Sequence, residues 1–426
     1  METYGKLLNI TVPFFLFFFF AEKLVAWRKG LQVIRGLDSV SSFSSGITNV
    51  VKDVLGIGVT ILTYSWLVNK IAVFHIQATI LTYIIAFLVI DFQGYWVHRW
   101  CHKINFFWTY HIIHHSSEEF NLSCALRQSI SNFINFFTFL LIPAALLGVP
   151  ANVIAIVAPL HLFLQYWYHT QLIGKMGILE HIIVTPSHHR VHHAINKAYM
   201  DKNLSQIFIF WDKLFGTFQQ ELDDVKPVYG VTRPVKTWNP VKINFLHLWL
   251  LIKDAWRTQN RMDKLRIWFM PTGWRPDDVK EKFPVDYISD VYRYKKFDTP
   301  ASKSFIAWSW VQMFFNYFLL VYFFAFIAQI GSPHIFYYGA FVFISIYSYT
   351  ELMDRNRNAL YWEIIKSALG FYAIYYYGDW FFSSRHWPWY HYVVAVYLVA
   401  SVCIVGYFSL YQFNKDEVNS PDMSMI

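Results

Sequence analysis

Residues 77–102 read QATILTYIIAFLVIDFQGYWVHRWCH. From Ile80 to His98 the run holds a single acidic or basic residue, Asp91. A helix needs roughly 20 such residues to cross about 30 Å of hydrocarbon, so the segment reads as a transmembrane helix. It ends in two histidines, His98 and His102, four positions apart and therefore on one helical face.

The rest of the chain fits that solvent. Of 426 residues, 55% are hydrophobic, 20% aromatic and 15% charged, against about 25% charged in an average soluble protein. So few polar groups cannot cover a water-facing surface, which excludes a soluble multidomain enzyme. Apolar runs recur near 11–27, 53–69, 77–97, 130–148 and 151–172, the last two joined around Gly148-Val149-Pro150 as a helical hairpin. Four more follow near 304–331, 333–350, 359–382 and 389–413. Only Lys6 precedes the first run and no small-residue cleavage site follows it, so it reads as a retained span. Basic residues mark the cytoplasmic side: Arg28, Lys29, Arg35, Lys52, about twenty between 173 and 302, then Arg355 and Arg357. The expectation is an all-α polytopic integral membrane protein. It has about nine transmembrane helices and a cytoplasmic histidine-rich cap. Residues 1–302 hold the catalytic part, with its motif core at 88–230, and 303–426 a four-helix membrane unit.

Cys101, Cys124 and Cys403 are too far apart for a disulfide framework or zinc ribbon. The net charge of +8 comes with no arginine-rich run or nucleic-acid reader motif, so no nucleic-acid partner is expected.

Twelve of the 17 histidines lie between His98 and His193. They fall into H-x-x-x-H (His98, His102), H-x-x-H-H (His111, His114, His115) and a third group, His188-His189-Arg190-Val191-His192-His193. His161 and His169 lie in the fifth run, with His181 beyond it. Helical spacing lets each group converge, and His169 falls level with them at the end of its span. Eight or more imidazoles exceed the four positions of one zinc ion, which points to two metal ions. Imidazole suits iron, zinc, copper and nickel alike. Asp91 shares a face with Tyr95 and His98; an ionisable group inside a membrane helix is costly, and it reads as an acceptor fixing a ligand's imidazole tautomer. Glu118 and Glu119 follow His115 closely enough for one to reach the metals.

These boxes resemble the fatty acid hydroxylase superfamily, the membrane di-iron group that includes sterol desaturases. Asp91-Phe92-Gln93-Gly94-Tyr95-Trp96-Val97-His98-Arg99 is similar to the first-box motif. Two further stretches resemble the alkylglycerol monooxygenase branch: His114-His115-Ser116-Ser117-Glu118-Glu119-Phe120-Asn121-Leu122-Ser123 with Ala125-Leu126-Arg127-Gln128-Ser129, and Thr185-Pro186-Ser187-His188-His189-Arg190-Val191-His192-His193 with Asp201-Lys202-Asn203. Leu204-Ser205 departs from the branch pattern. The resemblance implies two Fe ions that activate O2 to hydroxylate a lipid alkyl chain. It further implies cleavage of an alkylglycerol ether to a fatty aldehyde and a glycerol derivative, with tetrahydrobiopterin as external electron donor. His98, His102, His111, His114, His115, His169, His189, His192 and His193 would be the iron ligands and Glu118 the acidic residue beside them. Arg127 would pair with a phosphate or a pterin, and Phe106, Phe107, Trp108 and Trp167 would wall a lipid slot. No flavin, dinucleotide or haem motif accompanies the boxes, so a separate donor is expected. The membrane implied is the endoplasmic reticulum in a eukaryote or the inner membrane in a bacterium.

A sterol or fatty acyl hydroxylase or desaturase shares this ligand set. A metal transporter or sensor would place ionisable residues mid-span, and a zinc hydrolase needs far fewer histidines.

Overall fold

Seventeen α-helices, a few short 3-10 turns and one two-stranded parallel pairing make up residues 2–415, the part described by this computed structural model; residues 416–426 lie outside the description. Helix α1 (Glu2–Arg28) precedes α2 (Gly36–Val54), and strand β1 (Val59–Thr60) leads to α3 (Tyr64–Ile71) and α4 (Ile80–Lys103). Two short helices follow, α5 (Asn105–Trp108) and α6 (Ile112–His115), then strand β2 (Ile134–Asn135), α7 (Ile142–Leu146) and α8 (Ala151–Phe163). The polar stretch contains α9 (Pro186–His192), α10 (Phe210–Leu214), α11 (Pro240–Arg257), α12 (Arg261–Arg266) and α13 (Asp277–Lys282). Four long helices complete the described chain: α14 (Lys303–Ile330), α15 (His334–Met353), α16 (Ala359–Tyr377) and α17 (Tyr390–Tyr407).

Helix α4 begins at a capping box. The Thr79 hydroxyl accepts from Thr82 N at 3.3 Å, and Thr82 Oγ1 accepts from Thr79 N at 3.4 Å, a reciprocal cap for two otherwise unpaired donors. Its 24 residues extend about 36 Å. Ile80, Leu81, Ile84 and Leu88 are exposed, whereas Ala86, Ile90, Asp91, Tyr95, His98 and His102 are buried. One face thus meets the hydrocarbon and the other meets the protein.

Among the described residues four helices are long and apolar enough to cross a membrane: Leu7–Arg28, Ile80–Lys103, Lys303–Ile330 and Tyr390–Lys415. Two of the expected spans are not single helices. The run 53–69 breaks after α2 at Gly56, whose φ is +65°, and passes through β1 before α3 starts. The run 130–148 begins in β2 and gains only a 3-10 turn and the short α7. Apolar content without a continuous helical register is the reason: the β1–β2 pairing (Val59 with Ile134, Thr60 with Asn135) takes up backbone groups that a helix would satisfy internally. The hairpin expected at Gly148-Val149-Pro150 is present as a turn between α7 and α8, with α8 spanning 13 residues.

Two apolar cores hold these elements. One joins α1 and α2 to α14–α17, through residues such as Phe19, Val40, Phe323, Tyr338, Val342 and Leu398. The other joins α3, α4, α7 and α8 through Ala86, Ile90, Ala144, Ala145 and Val153. Glu22 on α1 is buried and accepts from Leu122 N (2.8 Å) and Thr170 Oγ1 (2.5 Å), tying α1 to the two loops that follow α6 and α8.

Candidate metal centre

Helix α4 delivers His98 and His102 on its last two turns. The chain then reverses around Asn105, whose side chain donates to Ile267 O (3.0 Å) and Trp274 O (2.9 Å) and accepts from Gly273 N (2.9 Å). That reversal places α6 over the end of α4, with His111 at its start and His114 and His115 within it. In α9, Thr185 caps the first turn and Pro186 starts it without a wasted N–H. The His188 ring is spent on this cap, its Nδ1 accepting from Thr185 N at 3.3 Å, which leaves His189, His192 and His193 to face the other way.

The nine expected histidines converge as two groups. Nitrogens of His98, His102, His111, His115 and His192 lie within 4.8 Å of one another, and those of His114, His169, His189 and His193 do likewise. The groups share a wall, with the His115 and His193 rings 4.4 Å apart and the His114 and His193 rings 4.6 Å apart. His161, His181 and His188 belong to neither.

Orientation of the rings decides what they can bind. Nδ1 of His98 donates to Leu204 O (2.8 Å), that of His192 to Lys202 O (3.0 Å), that of His169 to Gln165 O (3.0 Å) and that of His114 to Arg127 O (3.3 Å). A carbonyl can only accept, so Nδ1 carries the proton and the Nε2 lone pair of each neutral ring points inward. Nε2 of His102, His115 and His192 is buried without a partner, as is Nδ1 of His189. Facing pairs are close: His98 and His111 Nε2 are 2.9 Å apart, His189 and His169 2.8 Å, His193 and His189 3.0 Å, and His169 and His114 3.4 Å. Two imidazoles on one ion, at about 2.1 Å each and roughly 90–110° to one another, have such a separation. Burial above all, and then the neighbouring imidazoles, hold His111, His115, His189, His192 and His193 well below the ordinary histidine range. They are neutral imidazoles at physiological pH. Buried, converging and unpaired lone pairs fit two metal ions.

Three expected site residues sit elsewhere. Asp91 is fully buried and accepts from His161 Nε2 (2.7 Å), Ile207 N (2.9 Å), Phe208 N (3.1 Å) and Trp211 Nε1 (2.9 Å). Its imidazole partner is thus His161, outside both groups, and its work is to hold the 207–211 loop against α4. Glu118 turns away from the histidines because the chain leaves α6 at Ser116; its carboxylate takes Tyr294 Oη (2.7 Å) and Phe297 N (2.6 Å). Neither it nor Glu119, which pairs with Arg35 (2.6 Å) and Lys296 (2.8 Å), joins a histidine group. The Arg127 guanidinium is occupied internally by Asp38 (2.8 Å), Ser116 Oγ (2.7 Å) and Ser42 Oγ (3.0 Å). It touches the centre through its own carbonyl, the acceptor for His114.

The sequence reading missed the segment 201–204. Asp201 Oδ1 lies 3.5 Å from His102 Nδ1, and the carbonyls of Lys202 and Leu204 orient His192 and His98. Asp201 and Asn203 have φ of +57° and +52°, conformations that Asp and Asn tolerate better than most residues. The buried Asp212 holds the segment, accepting from Leu204 N (2.7 Å), Ser205 N (2.9 Å) and Thr217 Oγ1 (2.6 Å). Leu204 acts here through its backbone, so its departure from the branch pattern leaves the ring's acceptor in place. The one available signal was the Asp-Lys-Asn run after the third box.

A cavity of about 220 Å³ adjoins the larger group; His102, His115, His192 and His193 form one wall and Arg233, His247, Arg275 and Tyr287 are among the rest. Trp108 lines it and packs on His102 and His115, with ring centroids 5.3 and 5.6 Å away. Of the four expected slot walls only Trp108 meets the histidines. Phe106 packs on Trp268, Phe107 on Phe136 and Phe137, and Trp167 on Tyr168.

Residues 83–217, which contain all nine histidines, match the fatty acid hydroxylase family model. The chain is similar to alkylglycerol monooxygenase of Danio rerio, 32% identical over 381 residues that cover 87% of this chain and 82% of that protein. It is 38% identical to that of Homo sapiens over 266 residues (62% of this chain, 59% of the relative) and 34% identical to that of Xenopus tropicalis over 297 residues (70% and 65%). The match therefore spans less than two thirds of the length of those last two relatives. No solved structure matches the chain.

Proposed function

The chain belongs to the alkylglycerol monooxygenase family, and on that premise we propose that it is an O2-dependent di-iron monooxygenase that hydroxylates a lipid alkyl chain beside an ether oxygen. The hemiacetal so formed collapses to a fatty aldehyde and a glycerol derivative. An external two-electron donor, tetrahydrobiopterin on this reading, would supply the electrons that, with two protons, take the second oxygen atom to water. The observation that carries the reading is the pair of contiguous histidine groups, five and four rings, in which Nε2 of His102, His115 and His192 and Nδ1 of His189 are buried and unpaired.

His98, His102, His111, His115 and His192 would hold one iron and His114, His169, His189 and His193 the other. Iron supplies the O2 activation. The protein's own contribution is positional. Carbonyls of Leu204, Lys202, Gln165 and Arg127 hold four rings with Nδ1 protonated. Phe120 and Tyr168 pack against His193 and His189 (5.2 and 4.3 Å between centroids) and exclude water from the smaller group. The basic loops support a cytoplasmic position for the centre.

Anaerobically purified protein tests the reading. Two irons per chain, and fatty aldehyde on adding O2, tetrahydrobiopterin and an alkylglycerol, are the expected result. Iron without aldehyde, but with a hydroxylated sterol or acyl chain, would move the substrate. Folded protein that takes up no iron on reconstitution would end the oxygenase reading.

A further inference from the structure

The cavity beside the histidines is smaller than the roughly 300–1,000 Å³ that encloses a drug-sized ligand, so it suits a head group and not a whole lipid. Its charges are uneven. Arg275 is locked on Asp254 by Nε (2.5 Å) and Nη2 (3.0 Å), and Lys103 is paired with Asp201 (2.6 Å). Arg233 lines the same cavity, is only partly exposed, and makes no hydrogen bond or ion pair among the described residues. Beside it, His247 donates Nε2–H to Asn105 O (3.1 Å); as a neutral ring it then offers Nδ1 as an acceptor, and burial keeps it neutral by lowering it to about 4. Among the described residues Nη1 of Arg275 also has no partner, its bonds being made through Nε and Nη2. A planar guanidinium with no carboxylate at contact distance, its acidic neighbours Asp254 and Asp286 acting on it only through space, next to an acceptor nitrogen, matches a phosphate monoester, which gives oxygens to the arginine and a P–OH to the imidazole.

We propose that Arg233, with His247 and the free edge of Arg275, forms a phosphate subsite opposite the histidine wall. Its ligand is a phosphate monoester whose organic part reaches toward His102, His115, His192 and His193. The lipid form of this ligand, an alkylglycerol phosphate, rests on the monooxygenase reading. The subsite itself rests only on the cavity and its charges. It makes Arg233 the residue that distinguishes phosphorylated from unphosphorylated head groups.

The test uses full-length, iron-loaded protein and two variants, Arg233→Gln and Arg233→Lys, with Arg293→Gln as an exposed control. Binding of O-hexadecylglycerol phosphate, glycerol phosphate and inorganic phosphate is followed by the fluorescence of Trp108 and Trp274, which line the cavity. The expected result is at least about tenfold weaker binding of O-hexadecylglycerol phosphate in Arg233→Gln. Arg233→Lys should lose part of that affinity, while Arg293→Gln, iron content and the KM for unphosphorylated hexadecylglycerol stay unchanged. Equal affinity in wild type and Arg233→Gln, or no saturable binding of any phosphate, overturns the subsite. Glycerol phosphate binding as tightly as the lipid would support the subsite and assign it to a soluble ester. Arg233-dependent binding without turnover of either lipid would retain the subsite and remove the monooxygenase reading. Turnover of hexadecylglycerol with no Arg233 dependence of phosphate binding would do the reverse.

Discussion

At the scale of single residues, the centre depends on acceptors more than on its own side chains. Asp212 holds the backbone whose carbonyl orients His98. Asp212→Asn keeps one acceptor oxygen for two N–H groups and the Thr217 hydroxyl, so iron affinity should fall about 10–100-fold, the usual cost of removing a partner behind a ligand. Iron per chain after dialysis against a chelator measures it, with the circular dichroism spectrum unchanged. Arg127 and Asp38 are both buried, and Arg127→Ala would strand the carboxylate in the interior. A loss of about 3–5 kcal/mol is expected, read as a lower thermal midpoint, and Asp38→Ala/Arg127→Ala should be less damaged than the sum of its singles. A bound phosphate or pterin as the main partner of Arg127 would instead make stability depend on that ligand. The histidines themselves were legible one by one, because their spacing is helical and imidazole has few other reasons to cluster. The roles of Asp91, Glu118 and Arg127 were not, since a carboxylate or guanidinium near a ligand in sequence can turn to any neighbour that the fold supplies.

At the scale of elements, turns set how neighbouring helices pack. Gly148 joins α7 to α8 at φ +72°, and a Cβ there would come 1.7 Å from Phe74 O. Backbone cannot yield as a side chain can, so Gly148→Ala should strongly destabilise the protein, by several kcal/mol. Gly94 on α4 is the contrast: an added Cβ would meet Gln206 Oε1 at 2.0 Å, but that is the end of a flexible side chain. Gly94→Ala should lower the thermal midpoint much less than Gly148→Ala, measured side by side in one detergent. Helix starts at Thr79 and Thr185 follow from hydroxyls placed before apolar or proline positions. The breaking of 53–69 and 130–148 does not, because hydropathy counts apolar residues and is blind to the parallel pairing of β1 with β2.

At the scale of the whole molecule, a buried polar network stands among the C-terminal helices. Lys366 and Glu363 are in contact at 2.5 Å with neither exposed, and Lys366 also reaches Ser401 Oγ at 3.2 Å. Lys366→Met leaves Glu363 without its cation and should cost about 3–5 kcal/mol, whereas Glu363→Gln/Lys366→Met should recover most of it. Thermal midpoints of the three proteins check this; equal losses in the single and the double would mean that the pair contributes no specific coupling. The same helices share one core with α1 and α2, and α1 in turn carries Glu22 to the loops after α6 and α8. The ligand loops are thereby connected to the C-terminal bundle through packed structure.

By itself the sequence determined the solvent, the helical class and the nine histidines, because each is a matter of composition or of spacing along one helix. Only the tertiary structure decided that these rings divide five and four, that the carbonyls of 202 and 204 aim two of them, and that Arg233 is left unpaired beside them. Those outcomes depend on which segments meet in space, at separations from 10 residues (His192 and Lys202) to 106 (His98 and Leu204). A carbonyl or an empty partner position has no signature in the order of side chains.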